Sequence, residues 1–159
     1  MFQSKGKHPK TRDEKGKSKM AEKEKGRELN LEATVDNLDT VIEFVDGEIE
    51  DIGCDMKTQL EIEMAVEELF SNIANYAYQP RVGVATVRVE VLRDPLSVVI
   101  TFIDQGKPYD PLAKEDPDLD QTASQTVGGL GIFMVKKSMD HIAYEYIDGQ
   151  NVLTIRKNI

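Results

Sequence analysis

The stretch Met64-Ala-Val-Glu-Glu-Leu-Phe-Ser-Asn-Ile-Ala-Asn-Tyr-Ala-Tyr78 organises the reading of this chain. Its apolar residues recur at helical spacing, and within it Glu68 and Asn72 stand four positions apart. On a helix that spacing sets a carboxylate and a carboxamide side by side on one face. The pair lies among Leu69, Phe70 and Ile73, at the border of the apolar stripe. A carboxylate placed there is partly desolvated, which favours taking up a proton. The amide oxygen beside it is a neutral ligand for a hard cation such as magnesium. Glu61, Glu63 and Glu67 on the same helix are expected to form only its solvated face.

Working outward, this helix is expected from about Met56 to Tyr78, with Leu60, Ile62, Met64, Val66, Leu69, Phe70, Ile73 and Ala74 on its apolar face. Upstream, residues 28–34 alternate polar and apolar and read as a strand. A first helix follows, capped by Asp36 or Asn37, carried by Leu38, Val41, Ile42, Val45 and Ile49, and ended by Gly53. Downstream, residues 85–92 and 97–103 read as a hairpin turning at Arg93-Asp94-Pro95. Residues 105–127 hold three prolines and no periodicity, a length of loop that is usually functional. A third helix runs from Gly128 to about Asp140, and two final strands, 142–147 and 152–156, turn at Asp148-Gly149. Helices segregated from strands in this order predict an α+β fold: a two-layer α/β sandwich whose mixed, mostly antiparallel sheet is covered on one face.

Charge divides the chain. Residues 1–28 hold ten Lys/Arg against five Asp/Glu, while the remainder holds ten against 24 and is strongly acidic. Residues 1–27 have little to bury and are expected to be a disordered basic tail, leaving 28–159 as one domain. An acidic body argues against direct binding of nucleic acid, whose phosphates need cations. No apolar run is long enough to span a membrane, and the single Cys54 permits no internal disulfide, which fits a cytoplasmic setting. His8 and His141 carry no recognisable chemistry.

Two further segments bear on function. Ile100-Thr-Phe-Ile-Asp-Gln-Gly106 is an apolar strand ending in an aspartate and a glycine. Asp104 there can accept a hydrogen bond from an exocyclic amine, and Gly106 allows a close backbone approach to a flat ring. Gly128-Gly-Leu-Gly131 opens a helix, whose first backbone N–H groups can bind phosphate. No Gly-Lys-Ser/Thr follows, so it is not a P-loop.

In this order and spacing, Glu68 with Asn72, Asp104-x-Gly106 and Gly129-x-Gly131 resemble the N, G1 and G2 boxes of the GHKL ATPase superfamily. The resemblance is greatest to the bacterial anti-sigma-factor serine/threonine kinases and spans residues 28–157. It implies a Bergerat-type fold holding ATP between the helical layer and a lid. It implies Glu68 as general base for an attacking hydroxyl, Asn72 as a ligand to Mg2+, and Asp104 as acceptor for the adenine amine. Gly106, Gly129, Leu130 and Gly131 would shape the nucleotide pocket. The implied partners are a STAS-domain antagonist, phosphorylated on serine or threonine, and a sigma factor, with the chain as a homodimer. The alternative is an ATP-binding partner-switching module without significant kinase activity. It draws on Tyr76, where the family's kinases often carry a basic residue, and on a lid holding Lys107 and Lys114 but no arginine. Gln150-Asn151 stands where related proteins often carry threonine.

Overall fold

The computed structural model describes residues 26–118 and 129–159. All but the last two positions of the expected disordered tail, together with 119–127 and Gly128, lie outside the described residues. In chain order the elements are β1 (Arg27–Glu32), α1 (Leu38–Ile49), α2 (Met56–Asn72), β2 (Val84–Arg93), β3 (Leu96–Asp104), α3 (Leu130–Ser138), β4 (His141–Ile147) and β5 (Gln150–Asn158). The sheet order is β1-β2-β3-β5-β4, and each of its four ladders is antiparallel. The expected two-layer α+β sandwich is therefore observed, without a parallel pair among the described strands. Insertion of β5 between β3 and β4 brings the end of β3 beside the start of β5, so Asp104 faces Asn151 across the ladder.

Period-two burial explains the sheet. In β2 the residues Ala85, Val87, Val89 and Val91 are buried, while their neighbours alternate outward. Val98, Ile100 and Phe102 of β3 and Leu153 and Ile155 of β5 continue the same face. Against it pack Val41, Val45 and Ile49 of α1, Ile62, Val66, Leu69 and Phe70 of α2, and Ile132 and Val135 of α3. Burying each such side chain contributes about 1.5–3 kcal/mol relative to leaving it in water. Lys157 of β5 ties the layers at the edge: its ammonium pairs with Glu61 of α2 at 2.8 Å and donates to the Ser138 carbonyl at the end of α3, at 2.6 Å. A cation there also complements the negative end of the helix dipole.

The turns follow local chemistry. Asp148 and Gly149 both take positive φ, 54° and 76°, which a two-residue turn matching the strand twist requires. Gly53 takes φ 79° after a 3-10 turn that ends α1. Asp55 caps α2 by accepting from the Thr58 N–H at 2.7 Å.

Three expectations are corrected. Asn37 occupies the position before α1 but does not cap it, because its amide donates instead to the Glu32 carbonyl at 2.8 Å. Leu60 and Met64 do not face the core: they are 54% and 53% exposed, one turn apart on the outer side of α2. The apolar face of α2 is thus narrower than its composition implies. Finally, the α-helix stops at Asn72, and Ile73–Ala77 form a π-helical turn. Such turns recur at functional sites. Here the Ala77 carbonyl accepts from the Lys107 N–H at 3.1 Å, a bond to the loop after β3.

The burial register predicts that Phe70→Ala, which empties a fully buried site, costs about 3–5 kcal/mol of stability. Met64→Ala is expected to stay within about 0.5 kcal/mol, since Met64 is half exposed. Urea denaturation of the two variants checks this.

Candidate functional site

The site begins with a carboxylate in an apolar setting. Asp104, 5% exposed, shares the inward parity of Ile100 and Phe102 at the end of β3. Burial raises its pKa above the ordinary carboxylate value. Two hydrogen bonds oppose that shift, from the Asn151 amide and from the Gly106 N–H, both to Asp104 Oδ1 at 2.9 Å. Among the described residues nothing bonds the second oxygen, Oδ2. The carboxyl lines a cavity walled mainly by Leu69, Ile73, Ala77, Phe102, Pro111 and Leu153. That lining, apolar walls with few polar groups, suits a flat heterocycle.

A second, open cavity adjoins the first. The two share Asn72, Tyr76, Lys107 and Tyr109 on their walls. Its lining adds Glu68, Ser71, Asn75, Lys114, Gly129, Gly131 and Ile132. Glu68 and Asn72 lie as their spacing predicts, with Asn72 Nδ2 3.4 Å from Glu68 Oε1 on one face of α2. Both are half-buried. Lys107 and Lys114 give this cavity its cations, the latter lying 5.8 Å over the Tyr109 ring. The start of α3 closes one side. Gly129 adopts φ 126°, a conformation reserved for glycine, and no side chain caps the helix there.

The glycines act in different ways. A Cβ on Gly131 would lie 2.1 Å from the Glu68 carboxyl carbon, so α3 rests directly against the candidate base. A Cβ on Gly106 would lie 2.3 Å from the Ala77 carbonyl oxygen. The π turn beneath position 106 is therefore by itself enough to require glycine there. Leu130, one helical step from its neighbours, leaves the two cavities and lies half exposed in an adjacent groove with Met64 and Met134. Of the sequence-predicted residues, Glu68, Asn72, Asp104, Gly129 and Gly131 converge on the joined cavities, Gly106 supports them, and Leu130 does not enter them.

Sequence reasoning noted Asn151 only as a departure from threonine and missed Tyr144. Asn151 is 6% exposed and shares the inward parity of Leu153 and Ile155. A polar residue at a core-facing position, opposite another on the facing strand, was the available signal. Tyr144 of β4 donates its hydroxyl to Asn151 Oδ1.

The contacts separate two substitutions. Gly106→Ala collides with backbone and is expected to cost about 1–3 kcal/mol of stability. Gly131→Ala meets the end of a flexible side chain, which can swing away. Its melting temperature is expected to stay near wild type while Glu68 loses its position. Thermal denaturation of both variants, with a crystal structure of Gly131→Ala, checks this.

The comparisons with known proteins agree with this fold. Residues 31–157 match the family model of the histidine kinase-like ATPase domain. The anti-sigma F factor of Caldanaerobacter subterraneus subsp. tengcongensis is 28% identical over 110 residues, which cover 69% of this chain and 71% of that protein. The crystal structure of the RsbU and RsbW domains of a Mycobacterium tuberculosis protein superposes with a TM-score of 0.59 over 84% of this chain, at 17% identity. This chain spans only 32% of that longer one, and the likeness is one of fold. With the family model covering nearly its whole described body, the chain belongs to the histidine kinase-like ATPase domain family.

Proposed function

We propose that this chain is an ATP-binding anti-sigma regulator that transfers the γ-phosphate of ATP to a serine or threonine hydroxyl of a STAS-type antagonist. In this reading it also binds a sigma factor, acts as a homodimer, and works in the cytoplasm; no described helix is long and apolar enough to cross a membrane. The observation that carries the reading is the pair of joined cavities, one largely apolar with the buried carboxylate Asp104, the other lined by Glu68, Asn72 and two lysines. The similarity to an anti-sigma F factor supports the regulatory part.

The chemistry follows from the lining. The adenine ring fills the apolar cavity, its amine donating to Asp104 Oδ2. The phosphates extend into the polar cavity, toward Lys107, Lys114 and the first backbone N–H groups of α3. Glu68 accepts the proton of the incoming hydroxyl while its oxygen bonds the γ-phosphorus. The bond from that phosphorus to the ADP oxygen then breaks. Gly131 leaves the Glu68 carboxylate room against α3, where any side chain would push it aside. Magnesium fits Asn72: Nδ2 is committed to Glu68, and no described group bonds Oδ1. An ion bound largely by phosphates and water needs few protein ligands, and when bound it would neutralise phosphate charge. Partner switching follows if the nucleotide state changes the relative affinity for sigma factor and antagonist.

Glu68→Ala is expected to retain ATP binding but to slow phosphorylation of the cognate STAS protein by about 10²–10⁴. Transfer of labelled phosphate at the wild-type rate would refute its role as base. Binding by the wild type without any transfer would select the non-catalytic, partner-switching reading. Asn72→Ala is expected to lose the magnesium-dependent part of the ATP affinity, read by calorimetry with and without Mg2+. Unchanged magnesium dependence would refute the ligand assignment.

A further inference from the structure

We propose that Asn151 is a positioning residue: a strut that holds Asp104 so that a single carboxylate oxygen reads the nucleobase. The proposal rests on the nucleotide reading above and deepens it, because it assigns base selectivity to a residue that touches no base.

The geometry is one of saturation. Asn151 lines the apolar cavity, yet its hydrogen-bonding capacity is spent within the protein. Its Nδ2 donates to Asp104 Oδ1 at 2.9 Å and to the Lys107 carbonyl at 3.0 Å, with the Gly106 carbonyl more distant at 3.4 Å. Its Oδ1 accepts from the Tyr109 N–H at 3.1 Å and from the Tyr144 hydroxyl. Two donors and two acceptor sites are thus occupied, and none remains for a ligand. One amide therefore joins the end of β3, the following loop at Lys107 and Tyr109, and β4.

The consequence falls on Asp104. With Oδ1 taken by Asn151 and by the Gly106 N–H, the carboxylate cannot rotate without losing both bonds. Only Oδ2 is left to meet a ligand. An oxygen without a proton accepts from the amine of a 6-aminopurine. It opposes the carbonyl oxygen that a 6-oxopurine presents at the same place, lone pair against lone pair. Selectivity for adenine over guanine therefore needs the carboxylate both oriented and ionised, and Asn151 serves both needs. Aspartate at 151 would set a second carboxylate against the first; alanine would leave Asp104, the Lys107 carbonyl, the Tyr109 N–H and Tyr144 each short of a partner.

The charge state is set by the surroundings as a whole. Burial favours the neutral acid, and the bonds from Asn151 and Gly106 favour the carboxylate. The other ionisable groups nearby are Tyr78 at the end of the helical layer, Tyr144 of β4, and Lys107, Tyr109 and Asp110 of the loop. Removing Asn151 deletes a bond to the ionised form, so Asp104 holds its proton to higher pH. A protonated Asp104 loses its acceptor role, so adenine affinity is then lost at a higher pH as the solution is acidified.

The test is calorimetric titration of the full chain with ADP and with GDP between pH 5 and 8, for wild type, Asn151→Ala and Asp104→Ala. Asn151→Ala is expected to weaken ADP binding about tenfold or more at pH 7, to narrow the preference for ADP over GDP, and to shift the acidic loss of ADP affinity upward. A purely structural role would lower stability without moving the pH profile. Should Asn151→Ala not fold, Asn151→Val is titrated instead. Valine suits a strand and removes the donor to Asp104, so it should weaken ADP, narrow the preference and shift the acidic loss of ADP affinity upward, as alanine does. Wild-type affinity, selectivity and pH profile in the variant overturn the proposal. If Asp104→Ala binds ADP as wild type does, the nucleotide reading itself fails and the proposal with it. If Asp104→Ala loses ADP and Asn151→Ala does not, only the positioning role fails.

Discussion

A carboxylate held inside an apolar cavity is the constraint on which the functional end of this molecule depends. Removing Asp104 from water is costly, and the cost is offset only by donors aimed at it. Those donors come from elements far apart in the sequence: the Gly106 N–H from the same loop, and Asn151 from the start of β5. The strand order makes this possible, because β5 pairs with β3 rather than following it in space. The connection between those strands must then carry α3 and β4, so the helix that closes the polar cavity belongs to the same crossover that delivers Asn151.

The helical layer is shaped by the same end of the sheet. The Ala77 carbonyl lies in the last turn of the helical run and has no partner within it. It bonds the Lys107 N–H instead, and the Gly106 backbone packs against it without a side chain between. Tyr78 adds a further tie: its hydroxyl donates to the Val84 carbonyl at 2.6 Å and accepts from the Gln105 N–H at 2.7 Å. The floor of the apolar cavity is thus a junction of helix end, strand end and loop.

Much of this was legible from residues alone, and the failures have specific causes. Alternation identified β2, the Asp148-Gly149 pair identified its turn, and the spacing of Glu68 and Asn72 placed both on one face of α2. Leu60 and Met64 were misplaced because hydrophobicity was counted without deciding where the stripe ended; both point away from the sheet. Gly106 was read as making room for a ligand; the structure adds a close approach to Ala77, a contact between residues 29 positions apart that no local pattern encodes. The π turn was hidden for a related reason: it answers to a hydrogen bond made outside the helix. Asn151 was noticed only as a departure from threonine. Its importance comes from facing Asp104 in the ladder, and register between non-sequential strands is a property of topology.

The two cavities ask different things of the protein, and the structure meets them with different kinds of contact. Recognition of a base needs a fixed acceptor, and Asp104 is held by saturated partners that leave one oxygen outward. Phosphoryl transfer, in the proposed reading, uses Glu68 as its base, and that carboxylate is held more loosely. Its only hydrogen bond among the described residues, from Asn72, is long at 3.4 Å, and its other restraint is packing against Gly131. A carboxylate locked by several short donors would be a poor proton acceptor, because each donor stabilises the ionised form. Sparse restraint at Glu68 and dense restraint at Asp104 are therefore complementary solutions. The glycine at 131 makes the first possible: it lets α3 confine the base sterically while withdrawing no acceptor capacity from it.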